Sequence, residues 1–356
     1  MKFQFSCILF LFFLSACKND FMGESKTPQV DAFGEANHVV IVCDPELWEG
    51  PLGDSITWYF GSAYPILPQP EPIFDLRPMS YSDLLGAKPR RELRNYIFIA
   101  DLSRVDSTSL RLLHSLVGEE RLKKHLEESR VSNLINRDVW ARGQQLLYII
   151  GKDPDDLYSR IRTSFPALSK QIREFDRTQI KATAYAAGLN KGLAAQLANR
   201  YQIDLDIPAD WLVATENERG TWLRKETEKS SSNIVMGKVP YLNASQLSTE
   251  GLKRIRDTFS RTFVRTDSPG DYMEINDQDL PLFIYQKNID GNYGVEARGV
   301  WETKIEFMGG PFQTYLIQTP AKDSLLYIDL FVYAPELDKR NLIQQLEEII
   351  QTVHFK

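Results

Sequence analysis

Apolar positions repeat with two different periods along this chain, and the period changes with position. In the first part, short apolar runs alternate with helical spacing. The pattern predicts a strand over His38–Cys43, a helix over about Pro45–Ala63, strands over Pro72–Met79 and Leu93–Leu102, a helix over Ser107–Val117 and a strand over Gln144–Gly151. Between the second helix and the last strand, residues 118–142 are polar and read as helix plus loop. The order βαββαβ predicts a ferredoxin-like split motif. Leu157, Ile161, Phe165, Leu168 and Ile172 then fall on one helical face over Pro154–Phe175, with Pro166 as a kink or a fresh helix start.

From about Ile203 the pattern turns to short strands divided by turns. Over Val295–Phe307, apolar Val295, Ala297, Trp301, Ile305 and Phe307 alternate with Glu296, Arg298, Glu302, Lys304 and Glu306, which predicts a strand with one dry and one wet face. A turn at Met308–Pro311, strands over Phe312–Gln318 and Leu325–Tyr333, a helix over Pro335–Gln351 and a short strand over Val353–Phe355 follow, with another helix over Thr249–Thr262 before them. The expected fold class is α+β in two domains: an N-terminal ferredoxin-like βαββαβ unit and a C-terminal antiparallel sheet packed with helices. The expected boundaries are 37–176 for the first domain, 177–200 for a helical connector and 201–356 for the second.

The amino terminus carries a different pattern. Lys2 precedes an unbroken apolar run, Cys7–Leu14, too short to cross a bilayer. It ends at Leu14-Ser15-Ala16-Cys17, which resembles the lipobox of bacterial lipoproteins. The expectation is a signal peptide over 1–16, lipid on Cys17, and a flexible leash over 17–36. Two or three acyl chains, at about 0.8 kcal/mol per buried methylene, would hold such a protein on a membrane. Loss of the leader removes Cys7, and lipid occupies Cys17, so of the 3 cysteines only Cys43 remains. It reads as an inert core thiol, without an internal disulfide partner.

Composition narrows the picture further. The 356 residues, 43% hydrophobic and 25% charged, suit a packed protein, and 19 Phe with 15 Tyr supply surface to bury. A net charge of -6 gives no positive field for nucleic acid. There is no GxSxG, GxxxxGK[ST], HExxH or CxxC sequence, and the histidines, His38, His114, His125 and His354, lack ligand spacing. No catalytic residue, metal ligand or cofactor is assigned.

Several stretches stand out as candidate contacts. Glu296 and Arg298 share a strand face and could pair with each other or with a ligand; Gly299, opposite, would admit a neighbouring backbone, and Trp301 follows. Met308-Gly309-Gly310-Pro311-Phe312 reads as a tight hairpin or a binding loop whose glycines take positive φ. Tyr64–Pro72 reads as a stiff polyproline II connector. Lys339 and Arg340 open the last helix, where positive charge opposes the dipole, and so point either to an anionic partner or to neutralisation by Asp338 or Glu336.

Taken together, the lipobox, Leu67-Pro68-Gln69-Pro70-Glu71-Pro72-Ile73-Phe74, Trp140-Ala141-Arg142-Gly143-Gln144, Trp222-Leu223-Arg224, Arg298-Gly299-Val300-Trp301, Met308–Phe312 and Lys339-Arg340-Asn341 resemble a family of Bacteroidota lipoproteins classed as a domain of unknown function. The C-terminal half resembles the Mog1/PsbP-type α+β sandwich in element order. The resemblance implies a lipid-anchored cell-envelope protein, at the outer membrane, with the leaflet open. It brings no catalytic assignment. The expected role is binding or scaffolding of an envelope protein partner; the alternative is a lipid-anchored hydrolase using Glu296 with Arg298 and either Glu302 or Glu306.

Overall fold

In a computed structural model, residues 28–127 and 134–356 are described; Cys17 and the leader lie outside them. The chain forms two compact units that are not contiguous in sequence. One takes 39–55 and 77–164 with the stretch ending at Gly34, and the other takes 35–38, 56–76 and 165–356. Among the described residues no helix is long and apolar enough to cross a membrane.

The chain opens with β1 (His38–Val42), α1 (Pro45–Trp48), α2 (Pro51–Phe60), β2 (Asp75–Met79), α3 (Tyr81–Gly86), β3 (Asn95–Asp101), α4 (Ser107–Val117), α5 (Glu119–Glu127), β4 (Leu134–Arg137), β5 (Gln145–Gly151) and α6 (Pro154–Ala184), whose residues 39–55 and 77–164 belong to the first unit. Every residue of β3 and β5 is buried. Such unbroken burial suits strands covered on both faces, and the pairing agrees: β1 runs parallel to β3, with Ile41 opposite Ile97, and β3 runs parallel to β5, with Ile97 opposite Leu147.

The sheet order is β2-β1-β3-β5-β4. This corrects the ferredoxin-like connectivity, which would set the fourth expected strand beside β1 and β2 beside β3. Here α4 and α5 carry the chain from β3 across to a parallel neighbour, as a crossover must. The antiparallel edge is filled by β4, paired to β5 with Leu134 opposite Tyr148, from within a stretch read as helix and loop. The α+β class stands. The expected helix over Pro45–Ala63 is two helices, and Pro166 sits inside one continuous α6.

The second unit continues with α7 (Lys191–Tyr201), β6 (Ile203–Asp204), β7 (Leu212–Asn217), β8 (Gly220–Glu226), β9 (Ser231–Pro240), α8 (Thr249–Phe263), β10 (Glu274–Asn276), β11 (Phe283–Ile289), β12 (Asn292–Glu302), β13 (Gly309–Gln318), β14 (Ser324–Tyr333), α9 (Arg340–Ile350) and β15 (His354–Phe355). Eight strands form one antiparallel sheet, β10-β12-β13-β14-β9-β8-β7, with β11 also on β12. Ile234, Met236, Ile317, Ile328 and Leu330 face α7 and α9 through Leu197, Ile343 and Leu346. Val235, Leu316, Tyr327 and Phe331 face α8 through Leu252, Phe259 and Phe263. Helices therefore cover both faces, and β13 and β14 are buried from their second residue to their ninth. The wet face expected for β12 is roofed by α9.

Candidate functional site

One of the fully buried charges of the second unit sits on β12. Period-two alternation puts Glu296 and Arg298 on one face, the one turned to α9, and Glu296 is wholly buried. Arg298 Nε reaches Glu296 Oε1 at 2.5 Å, and its second nitrogen reaches Glu347 Oε1 of α9 at 2.8 Å. Lys287 of β11 approaches Glu296 Oε2 at 2.6 Å as an ion pair without hydrogen-bond alignment. Gln313 Nε2 donates to Glu347 at 2.5 Å, and the Tyr64 hydroxyl donates to it at 3.3 Å. Burial works against the Arg298 charge, but Glu347 and Glu296 outweigh it and hold the guanidinium above its ordinary range. Burial likewise pushes the neighbouring Tyr315 phenol well up.

These groups open onto a cleft of about 530 Å³ lined by α6, β11 and α9, with Arg173, Arg177, Asp290 and Glu348 on its walls. Arg177 Nε bonds both oxygens of Glu348, at 2.7 and 2.9 Å. Asn37 donates its amide to Asn341 at 2.9 Å and to Gln344 at 2.7 Å. The walls thus interleave guanidinium, carboxylate and amide groups, and each of the two carboxylates beside Arg298 already has that guanidinium as a partner. A group matched in this way positions a ligand better than it exchanges a proton.

The other singled-out residues lie elsewhere. Glu302 accepts from Asn276 at 2.8 Å, and Glu306 accepts from Ser268, so neither joins Glu296 in the cleft. β12 stops at Glu302, and the turn expected at 308–311 falls earlier, before β13 begins at Gly309. Gly309 and Gly310 are strand residues outside the positive-φ region. Gly310 is required by proximity, since a Cβ there would lie 2.0 Å from the Val332 carbonyl oxygen. At Gly299 the close neighbour is the Phe312 ring rather than a backbone.

Trp301 is core, its indole donating to the Val332 carbonyl at 3.2 Å. Phe312 is core too, with the buried Arg256 guanidinium 3.8 Å above its ring. Met308 lies against the same cluster as Trp301. Pro311 pairs with Val300 across β12 and β13.

Asp271 organises the loop that replaces the end of the expected strand. It accepts from the amides of Lys304, Ile305 and Glu306 at 3.0, 3.2 and 3.2 Å. Burial raises its carboxyl, yet the Thr266 hydroxyl and these amides hold it below the usual aspartate range. The loop leaves Phe307 90% exposed, with φ 54°.

Lys339 and Arg340 find their anion within the chain. Glu71 accepts from both backbone amides, at 2.7 and 2.8 Å, and so caps α9, while an Arg340 guanidinium nitrogen reaches Asp75 at 2.7 Å. The Tyr64–Pro72 segment is a closed loop instead of a polyproline rod: Tyr64 donates to the Glu71 carbonyl at 2.6 Å, and Ile66 has φ 65°. Lys287, Glu347 and Asp271 were not singled out in the sequence, and Glu71 was named only as part of the Leu67–Phe74 and Tyr64–Pro72 stretches.

Cys43 is buried and free, and burial, then the adjacent Asp44 charge, pushes its thiol up to about 12. Among the described residues no three His, Cys, Asp or Glu side chains converge to hold a metal.

Comparison with known proteins divides the chain in two. Residues 190–352 match the family described as Domain of unknown function (DUF4837), and residues 32–185 match that described as Domain of unknown function (DUF8532). The resemblance seen in the motifs is thus met at the level of two families without an assigned function. A search of curated proteins gives no match. Among solved structures, the Saccharomyces cerevisiae Ran-binding protein Mog1p is 12% identical, with a TM-score of 0.29 over 43% of this chain and 89% of its own. LpqN of Mycobacterium tuberculosis, involved in cell envelope biogenesis, is 12% identical, with a TM-score of 0.26 over 43% and 82%. PA94 of Pseudomonas aeruginosa, a putative regulator, is 13% identical, with a TM-score of 0.23 over 42% and 88%.

Proposed function

We propose that the protein is a lipid-anchored cell-envelope protein that binds a polar segment of another envelope protein in the cleft beside α9 and performs no chemistry on it. Lipid on Cys17 would hold it at the outer membrane. The observation that carries the binding reading is Arg298, fixed by Glu296 and Glu347 at the cleft floor. Its two carboxylate partners are neutralised, which supports recognition over acid–base work. The walls offer both signs of charge with amide groups between them. A peptide, whose backbone donates and accepts along its length, fits such a lining.

The hydrolase alternative draws no support from the geometry, because Glu302 and Glu306 are engaged at other places in the unit. A photo-crosslinking residue at Asn288, on the cleft wall, tests the binding reading in native membranes, with the same residue at Glu228 in the β8–β9 turn as control. One envelope polypeptide captured from position 288 and not from 228 supports it. The same products from both positions contradict it.

A further inference from the structure

The first unit holds a crevice that nothing above uses. In the order β2-β1-β3-β5-β4, the chain leaving β1 rejoins the sheet at β2, on one flank, and the chain leaving β3 rejoins it at β4 and β5, on the other. The connections diverge at the carboxyl ends of β1 and β3, and in open parallel sheets that divergence leaves a crevice suited to a ligand. A cavity of about 280 Å³ lies there, walled by Leu47, Leu52, Tyr81 and Val105 and edged by Asp44, Asp101 and Arg104.

Phosphate is the usual guest of such a crevice, held by free amides at helix N-termini. Here those amides face carboxylates of the chain itself. Asp44 accepts from the Glu46 amide at 2.9 Å, and Pro45 has no N–H to offer. Asp106 accepts from the Thr108 and Ser109 amides at 2.6 and 3.0 Å. Asp153 accepts from the Asp156 amide at 2.9 Å, and Asp155 and Asp156 fill the first turn of α6. This rim repels an anion.

Asp101, at the last position of β3, supplies the second observation. Its side chain is 5% exposed. Oδ1 is satisfied by the Ser103 amide at 2.9 Å and hydroxyl at 2.7 Å. Among the described residues Oδ2 has only Arg104 Nε, at 3.9 Å, and that side chain is 76% exposed. A carboxylate oxygen on a cavity edge with so distant a partner is placed to receive a donor from outside. With no three-residue metal cluster among the described residues, the donor that fits is an organic one.

We propose that the crevice at the carboxyl ends of β1 and β3 binds a small organic cation, its amine on Asp101 and its apolar body against Leu47, Leu52, Tyr81 and Val105. The site is separate from the cleft beside α9, and either proposal can fail without the other. Calorimetry on the full-length protein in detergent, with phenethylamine as probe and 3-phenylpropionate and inorganic phosphate as comparators, tests it. The amine is expected to bind and the two anions are not. Asp101→Asn keeps the Oδ1 acceptor for Ser103 and is expected to weaken the amine about tenfold or more. Arg104→Ala removes the competing cation from an exposed position and is expected to tighten it. No phenethylamine binding at millimolar concentration, binding of 3-phenylpropionate or phosphate as strong as that of the amine, or an unchanged or weakened affinity in Arg104→Ala would overturn the proposal.

Discussion

Arg298 of β12 joins Glu296 of its own strand to Glu347 of α9, at 2.5 and 2.8 Å, so one guanidinium fixes a helix to the sheet beneath it. Two carboxylates and one planar fork make the junction specific, because a point charge could not face both partners in the same way.

Removing that fork takes one of its two cations from Glu296, which is wholly buried, and leaves it Lys287. Breaking one side of a buried pair typically costs about 3–5 kcal/mol. Arg298→Ala is expected to lose stability in that range in urea unfolding, and Arg298→Lys to recover only part of it. Equal stability of Arg298→Ala and the parent would show that the junction is not structural.

Glu71 caps α9 from a distant loop, and Lys339 at the helix N-cap makes no side-chain cap of its own. Glu71→Ala is expected to cost about 1–2 kcal/mol, near the upper range for a lost cap because two amides lose their acceptor. Glu71→Gln, which keeps one acceptor oxygen, is expected to cost less. Thermal unfolding of the pair checks the order.

Gly310 and Gly309 are adjacent yet differ in tolerance. A Cβ at 310 would lie 2.0 Å from the Val332 oxygen, but at 309 its nearest contact is the Trp301 oxygen at 3.1 Å. Gly310→Ala is expected to destabilise by about 3 kcal/mol or more, and Gly309→Ala by about 1 kcal/mol or less. A reversed order in denaturant midpoints would place the close approach elsewhere.

Asp271 ties its loop through its ionised form, because its folded carboxyl titrates below the ordinary 3.8. A depressed folded value means that its contribution is complete above 3.8 and is lost as pH falls through the lower folded value. Asp271→Asn is therefore expected to melt lower than the parent at pH 7, with the gap closing below pH 3.8. A gap that stays constant into acid would mean that the charge does not matter.

The Cys43 thiol, raised to about 12, holds almost no thiolate at pH 8. Iodoacetamide is expected to leave it unmodified in the folded protein and to label it in guanidinium. Rapid labelling of the native state would move Cys43 out of the core.

Much of the local structure was legible in the sequence. The apolar run around Val39–Val42 and the helix Ser107–Val117 have the predicted type and nearly the predicted ends. Strand order was not legible, because whether Gln145–Gly151 pairs with β1 or β3 depends on where a crossover lands. The end of β12 misled for a local reason. Ile305 and Phe307 continue the alternation, yet they are 51% and 90% exposed on the Asp271 loop. Half of the cleft was visible, since Glu296 and Arg298 lie two residues apart. Glu347 was not, because the azimuth of α9 over the sheet is set by packing of Ile343 and Leu346.

The account joins a water-exposed binding unit to a lipid tether, and the tether is tested most directly by intact mass spectrometry of the protein extracted from its native membranes. The account predicts a chain that begins at Cys17 and carries fatty acyl mass on that residue. A chain that retains residues 1–16, or one that begins at Cys17 with an unmodified thiol, would contradict it.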